Sequence, residues 1–140
     1  MSQIDVDKMF ALAKAVRLNA YAPYSNFLVG SCIYTDNDQY YVGCNVENTS
    51  YRMTDCAETV AVGAMVANGV RKIKAVLVVT DTPKGVSPCG GCLQKLSEFV
   101  SEDTMVYIAN INKVTEARPF TEFFGAGFAK EFSELTGKHA

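Results

Sequence analysis

The sequence predicts an α/β domain, on the strength of two observations. Residues 75–80 form an apolar run rich in β-branched side chains, which is typical of a buried strand. This run follows a helical pattern that itself follows two strand-like segments, and a strand, a helix and a strand in this order indicate a crossover unit. The chain has 140 residues, enough for one domain with a full core, and we expect residues 1–140 to form that single domain.

The first half of the chain predicts one helix and a hairpin. Residues 5–20 are predicted to form a helix that Asp5 caps and that ends before Pro23. Its apolar side chains recur at helical spacing: Val6, Phe10, Ala13 and Val16. Residues 27–34 and 40–46 are predicted to be two strands joined by a polar loop.

The second half predicts two helices and two strands. One helix is expected to begin at residue 55 or 56, with Thr54 as its N-cap, and to end near residue 67 before Asn68-Gly69. After the strand at 75–80, a helix is expected from Pro88 to about residue 100, since proline suits a first helical position. A further strand is expected at residues 105–109.

Composition argues against several classes of protein. Apolar residues make up 49% of the chain and charged residues 20%, and the net charge of -2 gives no sign of a nucleic-acid surface. We find no apolar run that could span a membrane and no apolar signal-peptide core, so we expect a cytoplasmic protein. There, five cysteines are expected to be metal ligands or core residues. The only histidine, His139, is next to last, so a buried metal site is expected to use sulfur and oxygen.

Two short motifs carry the chemistry. Cys56-Ala57-Glu58 supplies a thiol and a carboxylate, and Pro88-Cys89-Gly90-Gly91-Cys92 supplies two more thiols. Together they resemble the zinc deaminase signature, which has a variant with three cysteine ligands. Zinc held by three protein ligands keeps a fourth position at which water becomes nucleophilic. A neighbouring carboxylate, here Glu58, can then carry protons.

The same residues allow other interpretations. A C-x-x-C pair is also typical of a structural zinc site or a redox pair, and free cysteines are often buried apolar residues. A structural zinc normally has four ligands, and Cys32 or Cys44 could supply the fourth. The two motifs alone leave a catalytic and a structural site open. Asn45 and Glu47, two apart at the end of a predicted strand, could hold ligand hydroxyls or could simply turn the chain.

The two cysteine motifs are preceded by two further segments, Tyr21-Ala-Pro-Tyr-Ser-Asn-Phe27 and Gly43-Cys-Asn-Val-Glu-Asn48 with Ser50-Tyr51 after it. In this order and spacing, the four segments resemble the small zinc-dependent cytidine deaminases that form homotetramers. The resemblance runs from the first helix to near the C-terminus. It implies a three-layer α-β-α fold with a mixed five-stranded sheet, one Zn²⁺ per subunit, and a homotetramer whose sites are shared between subunits.

The resemblance also implies a role for each matching residue in the two cysteine motifs. Cys56, Cys89 and Cys92 would hold the zinc ion. Glu58 would move protons during the reaction. Glu58 and the backbone of Ala57 would read the edge of the pyrimidine.

Residues outside the cysteine motifs would hold the nucleoside. Asn45 and Glu47 would bind the ribose 3′-hydroxyl, and Phe27 would pack against the bound nucleoside. Neighbouring subunits would contribute Tyr51, and also Phe128, which would stack on the base.

Two positions beside the expected ligands depart from the family's pattern. The family usually has arginines there that neutralise zinc-bound thiolates, whereas this chain has Thr59 and Leu93. Excess negative charge weakens zinc as a Lewis acid. Arg52 and Lys95 lie close in sequence to the ligands and are candidates for compensating that charge.

The function that the resemblance implies is hydrolytic deamination of cytidine and deoxycytidine to uridine and deoxyuridine in pyrimidine salvage. One alternative is a deaminase of another cytosine nucleoside, such as blasticidin S. Another is a zinc-containing nucleoside binder without turnover, which would have no need for Glu58. RNA editing is disfavoured because the chain has no basic surface signal.

Overall fold

The computed structural model describes residues 3–124, which build a five-stranded sheet with helices on both faces. The strands are β1 (Val29–Thr35), β2 (Tyr40–Cys44), β3 (Ile73–Thr80), β4 (Met105–Ala109) and β5 (Val114–Pro119). The helices are α1 (Val6–Arg17), α2 (Ala57–Ala67) and α3 (Gly90–Ser97), with 3-10 turns at Tyr51–Met53 and Phe120–Glu122. The strand order is β2-β1-β3-β4-β5, in which β3 and β4 are parallel and the other pairs are antiparallel. The predicted α/β class and mixed five-stranded sheet are confirmed.

Alternation along the strands creates two separate cores, one on each face of the sheet. On β1, Ile33 packs in the cluster that includes Ala61 and Met65 of α2. Its neighbours in the strand, Cys32 and Tyr34, pack in the cluster that α1 covers. Successive side chains of a strand point to opposite faces, so an apolar strand between two layers of helices is buried on both sides. This is the expected three-layer arrangement.

Helix α1 begins where the sequence predicts and ends three residues earlier. The Asp5 side chain accepts a hydrogen bond from the Lys8 amide at 3.0 Å, which is the predicted N-cap. The helix ends at Arg17, because the next three amides, including that of Ala20, bond to carbonyls three residues back. This tighter turn closes the helix before Pro23 is reached.

The predicted hairpin is present, with shifted boundaries. Strand β1 begins at Val29 and not at Phe27, since Asn26 has a positive φ of 58° that turns the chain just before the strand. Strand β2 ends at Cys44. Beyond it, Val46 forms isolated bridges, parallel to Tyr21 and antiparallel to Asp55.

Strand β5 is the element that the pattern of the sequence did not locate. It pairs with β4 at the edge of the sheet, and most of its side chains are only partly buried, so it carries no continuous apolar run. A turn signal lies between β4 and β5: the Asn110 side chain accepts hydrogen bonds from the amides of Asn112 and Lys113, both at 2.8 Å. Asparagines at these positions were the available clue to a hairpin.

Within residues 3–124, we find no helix long and apolar enough to cross a membrane.

Candidate metal centre and active site

Three cysteine sulfurs meet at the N-terminal ends of α2 and α3. The Sγ atoms of Cys56, Cys89 and Cys92 all lie within 4.8 Å of one another. Cys56 is the N-cap of α2 and Cys89 is the N-cap of α3, while Cys92 lies in the first turn of α3. Both helix dipoles therefore favour negative charge at this point.

Both helices begin later than the sequence predicts. Cys56 and Cys89 have extended backbone conformations, with ψ of 157° and 168°, so the helices start at Ala57 and Gly90. Thr54 is not the N-cap of α2, because its hydroxyl accepts a hydrogen bond from the Asn48 amide at 3.3 Å instead. The later start puts the thiols just off the helix ends, where Glu58 in the first turn of α2 can approach the same point.

The cluster fits a tetrahedral zinc ion with three protein ligands. Zn–S bonds of about 2.3 Å in tetrahedral geometry separate sulfurs by about 3.8 Å. The three sulfurs here lie within 4.8 Å of one another, so small side-chain movements suffice to reach that spacing. In the described part of the chain, neither Cys32 nor Cys44 belongs to the group. Cys32 is fully buried in the core beneath α1. Three thiols without a fourth protein ligand among residues 3–124 match a site that keeps a position for water.

Hydrogen bonding among the thiols lowers the proton affinity of one of them. The bond from Cys92 lowers the pKa of the Cys56 thiol to about 6, and smaller effects of Cys89 and Lys95 act in the same direction. Without a metal ion, the same bond and burial raise the pKa of the Cys92 thiol. One thiol of the cluster is therefore ready to act as a thiolate near neutral pH, the form that binds metal.

Glu58 is a buried carboxyl group beside the cluster. It is only 4% exposed, and burial raises its pKa to about 7, with a further contribution from the negative charge of Cys56. A carboxyl group with a pKa near the working pH can both accept and donate a proton. This is the property that a proton carrier in a hydrolytic site requires.

A further residue, Thr59, touches the cluster, in a contact that the sequence did not predict. The hydroxyl of Thr59 lies 3.8 Å from the sulfur of Cys92, within hydrogen-bonding distance for sulfur. Leu93, the other departure, is buried in the core between α2, α3 and the sheet. Of the two candidates for charge compensation, Lys95 acts on the Cys56 thiol, as described above.

Asn45 and Glu47 are brought together with the segment that carries Phe27. The side-chain nitrogen of Asn45 donates to the Phe27 carbonyl at 2.8 Å, and its side-chain oxygen accepts from the backbone amide of Val29 at 2.9 Å. Glu47 accepts from the backbone amides of Tyr24 and Ser25, at 2.9 and 3.1 Å, and from the Ser25 hydroxyl. Asn45 thus holds the start of β1 and Glu47 holds the turn before it, and both retain unused hydrogen-bonding capacity for a ligand.

The same segment is tied to the first cysteine motif through Val46. The amide of Val46 donates to the carbonyl of Asp55 and the reverse bond also forms, both at 2.9 Å. Tyr21 lies on the other side, donating to Asn45 and accepting from Glu47. Because Asp55 precedes Cys56, the segments that carry Phe27, Glu47 and Cys56 form one assembly.

The remaining expected site residues differ in exposure. Phe27 and Tyr51 are 40% and 74% exposed, and the ring of Tyr51 packs edge-on against that of Tyr24, with 5.9 Å between ring centroids. Ala57 is fully buried. Phe128 lies outside the described residues.

Comparisons of the sequence and of the structure with known proteins point to the same family. The family model for the cytidine and deoxycytidylate deaminase zinc-binding region matches residues 4–109. A cytidine deaminase from Sporosarcina psychrophila is 41% identical over 128 residues, which cover 91% of this chain and 94% of that protein. The crystal structure of a cytidine deaminase from Burkholderia pseudomallei aligns with a TM-score of 0.84 at 34% identity, covering 89% of this chain and all of that one.

Similarity to a deaminase with a different name is weaker. A blasticidin-S deaminase from Bacillus cereus is 28% identical over 82 residues, which cover 53% of this chain and 59% of that protein. The match to the zinc-binding region takes in Cys56, Glu58, Cys89 and Cys92. By the extent of that match and the identity to its relatives, the chain belongs to the cytidine and deoxycytidylate deaminase zinc-binding family.

Proposed function

We propose that this protein is a zinc-dependent hydrolase that deaminates cytidine and deoxycytidine to uridine and deoxyuridine. The observation that carries the proposal is the meeting of three thiols at two helix N-termini with a buried carboxyl group, Glu58, beside them. Membership of the family and the similarity to curated cytidine deaminases support the same reaction. A zinc site that only stabilised the fold would not need a buried carboxyl group beside three ligands.

The reaction needs a nucleophile at C4 of the pyrimidine and a proton carrier. Zinc bound to Cys56, Cys89 and Cys92 would act as the Lewis acid that activates water. Glu58 takes the proton that the water gives up as its oxygen bonds to C4. It delivers this proton to N3 of the ring. It then carries the remaining proton of the new C4 hydroxyl to the amino group, which leaves as ammonia as the C4–N bond breaks and the C4 carbonyl forms. The backbone of Ala57, together with Glu58, reads the edge of the base.

The sugar is recognised by the assembly around β1. In this proposal, Asn45 and Glu47 bind the ribose 3′-hydroxyl with the hydrogen-bonding capacity that the chain leaves unused. Hydrogen bonding lowers the pKa of Glu47, chiefly through the Ser25 hydroxyl, which keeps it ionised as an acceptor. Phe27 packs against the nucleoside. It is partly exposed and so has apolar surface that a ligand can cover.

The active enzyme is proposed to be a cytoplasmic homotetramer in pyrimidine salvage, with residues 1–140 as its single domain and no nucleic-acid or membrane partner. Tyr51 and Phe128 would reach the site of a neighbouring subunit. Exposed apolar side chains near the cysteine motif support an interface, since Tyr51 is 74% and Met53 60% exposed. Light scattering of the zinc-loaded protein should give the mass of four chains, and the mass of a single chain would contradict this part.

A panel of substrates tests the proposed reaction. Protein of measured zinc content is mixed with cytidine, deoxycytidine, free cytosine or blasticidin S, and ammonia release is followed together with ultraviolet absorbance. We expect one ammonia per molecule of cytidine and of deoxycytidine, and slow or no release from the other two. Failure to convert either nucleoside with one zinc bound per chain would refute the proposal.

A further inference from the structure

The contact between Thr59 and Cys92 joins the two helices that form the metal centre. Thr59 lies in the first turn of α2, and Cys92 lies in the first turn of α3. Their Oγ1 and Sγ atoms are 3.8 Å apart, although the residues are 33 positions apart in the chain. Cys92 is 2% exposed, so water has little access to its sulfur. A buried sulfur that carries charge needs a donor from the protein.

Among the described residues, Cys92 is the only side-chain hydrogen-bond partner of Thr59. A threonine hydroxyl in a helix commonly bonds a carbonyl three or four residues back. For Thr59 these are the carbonyls of Cys56 and Asp55, which accept from the amides of Val60 and Val46 at 3.1 and 2.9 Å. The hydroxyl of Thr59 is instead within reach of the Cys92 sulfur.

We propose that Thr59 is a positioning residue of the metal centre, which donates a hydrogen bond from its hydroxyl to the sulfur of Cys92 when that sulfur ligates the metal. The direction follows from chemistry, because a ligating thiolate has no proton and the hydroxyl has one. This inference rests on the proposed function only in taking the three thiols as zinc ligands.

The role of the contact follows from the charges around it. Three thiolates on one Zn²⁺ leave a net charge of about -1, and the buried carboxyl group of Glu58 adds to it when ionised. A hydrogen bond to a ligating sulfur withdraws electron density from it and orients it. Leu93, next to Cys92, packs in the apolar core and offers no donor. Thr59 therefore reduces the charge on Cys92 without adding a cation.

Three substitutions separate the hydroxyl of Thr59 from its shape. Thr59→Val keeps the size and removes the hydroxyl, Thr59→Ala also removes it and favours the helix, and Thr59→Ser keeps the hydroxyl. Thr59 is half-buried, and Ala provides a second variant if Val impairs folding. The full-length proteins are compared by zinc affinity in competition with a chelator and by the sulfur-to-metal charge-transfer band of the Co²⁺ form.

The measurements do not depend on deamination. We expect Thr59→Val and Thr59→Ala to weaken zinc binding about 10-fold or more and to shift the Co²⁺ band, while Thr59→Ser stays near the wild type. Unchanged affinity and spectra in Val or Ala variants would overturn the inference, and so would an equal loss in Thr59→Ser. If wild-type protein bound no zinc, the proposed function would fall with it, which is a distinguishable result.

Discussion

The carbonyl oxygen of Ala57 lies against the position that a Cβ of Gly43 would occupy, so that any side chain at Gly43 would collide with it. A Cβ there would also come within 2.5 Å of the Ala61 amide nitrogen. The absence of a side chain lets α2 lie against β2, and this brings the Cys56 end of the helix next to the segment that carries Asn45. Close packing of a helix on a strand thus sets the distance between the metal centre and the expected sugar site.

Replacing Gly43 should test this dependence. We expect Gly43→Ala to lower the free energy of unfolding by about 1–3 kcal/mol, because α2 must move away from β2. Denaturant unfolding of the zinc-free protein measures the change. The matched control is Gly63→Ala in the same helix, where no atom lies within 4 Å of the new Cβ. That variant should gain about 0.5–1 kcal/mol from helix propensity; a neutral Gly43→Ala would show that α2 can shift freely.

Glu47 and Ser25 can be separated by their effects on substrate binding. Glu47→Ala should raise KM for cytidine about 10-fold or more, because it removes both the proposed sugar contact and the acceptor of three hydrogen bonds. Ser25→Ala removes one of these bonds and keeps the carboxylate, so its KM should change much less. Steady-state kinetics on both variants measures the difference. Equal effects would mean that Glu47 only holds the turn.

Lys95 is predicted to tune the first thiol of the cluster. Its positive charge is one of the influences that lower the pKa of Cys56, so Lys95→Met should raise that pKa from its value of about 6. The rate of alkylation of the zinc-free protein as a function of pH reports the thiolate. Lys74→Met, at an exposed position of β3, is the control and should leave the profile in place. A profile unchanged by Lys95→Met would remove Lys95 as a source of compensating charge.

Alkaline stability should depend on Cys32. Burial raises the pKa of its thiol from 9.0 to about 12, so between these values the unfolded chain has lost a proton that the folded chain keeps. The folded state then binds more protons, and its stability falls as pH rises, by up to about 1.4 kcal/mol per pH unit for this group, while below pH 9 the effect is absent.

The comparison variant for this prediction is Cys32→Ala. It leaves a small cavity, which costs stability equally at all pH values, and it removes the titrating thiol. Between pH 8 and pH 11, the free energy of unfolding measured with denaturant should therefore fall less steeply in the variant than in the wild type. Parallel declines would mean that Cys32 does not remain protonated in the folded state.

Much of the site was predictable because its residues lie in short contiguous motifs. Cys56-Ala57-Glu58 and the C-x-x-C pair carry the donor types and spacing of a metal centre. The order of strands and helices along the chain predicts a sheet that helices cover. The exact helix starts were not predictable, because a cysteine that ligates at an N-cap resembles a first helical residue in sequence. Thr54 was a reasonable cap by residue type, yet Asn48, six residues earlier, uses its hydroxyl.

The rest depends on contacts between distant parts of the chain. Thr59 and Cys92 meet only because α2 and α3 point their N-termini at the same place. Strand β5 gains its stability from pairing with β4 at an edge, and such pairing leaves little trace in hydrophobic periodicity. Likewise, the use of Asn45 to bracket Phe27 and Val29 is a tertiary feature that residue type alone does not encode.

The most direct test of the central claim is the rate of cytidine deamination by Glu58→Gln compared with the wild type, in samples with measured zinc content. The variant keeps the size of the side chain and the three thiols but cannot carry a proton. We predict one zinc per chain in both proteins and a rate that is lower by about 10²–10⁴-fold or more in the variant. A Glu58→Gln protein that binds zinc and deaminates cytidine as fast as the wild type would contradict the account.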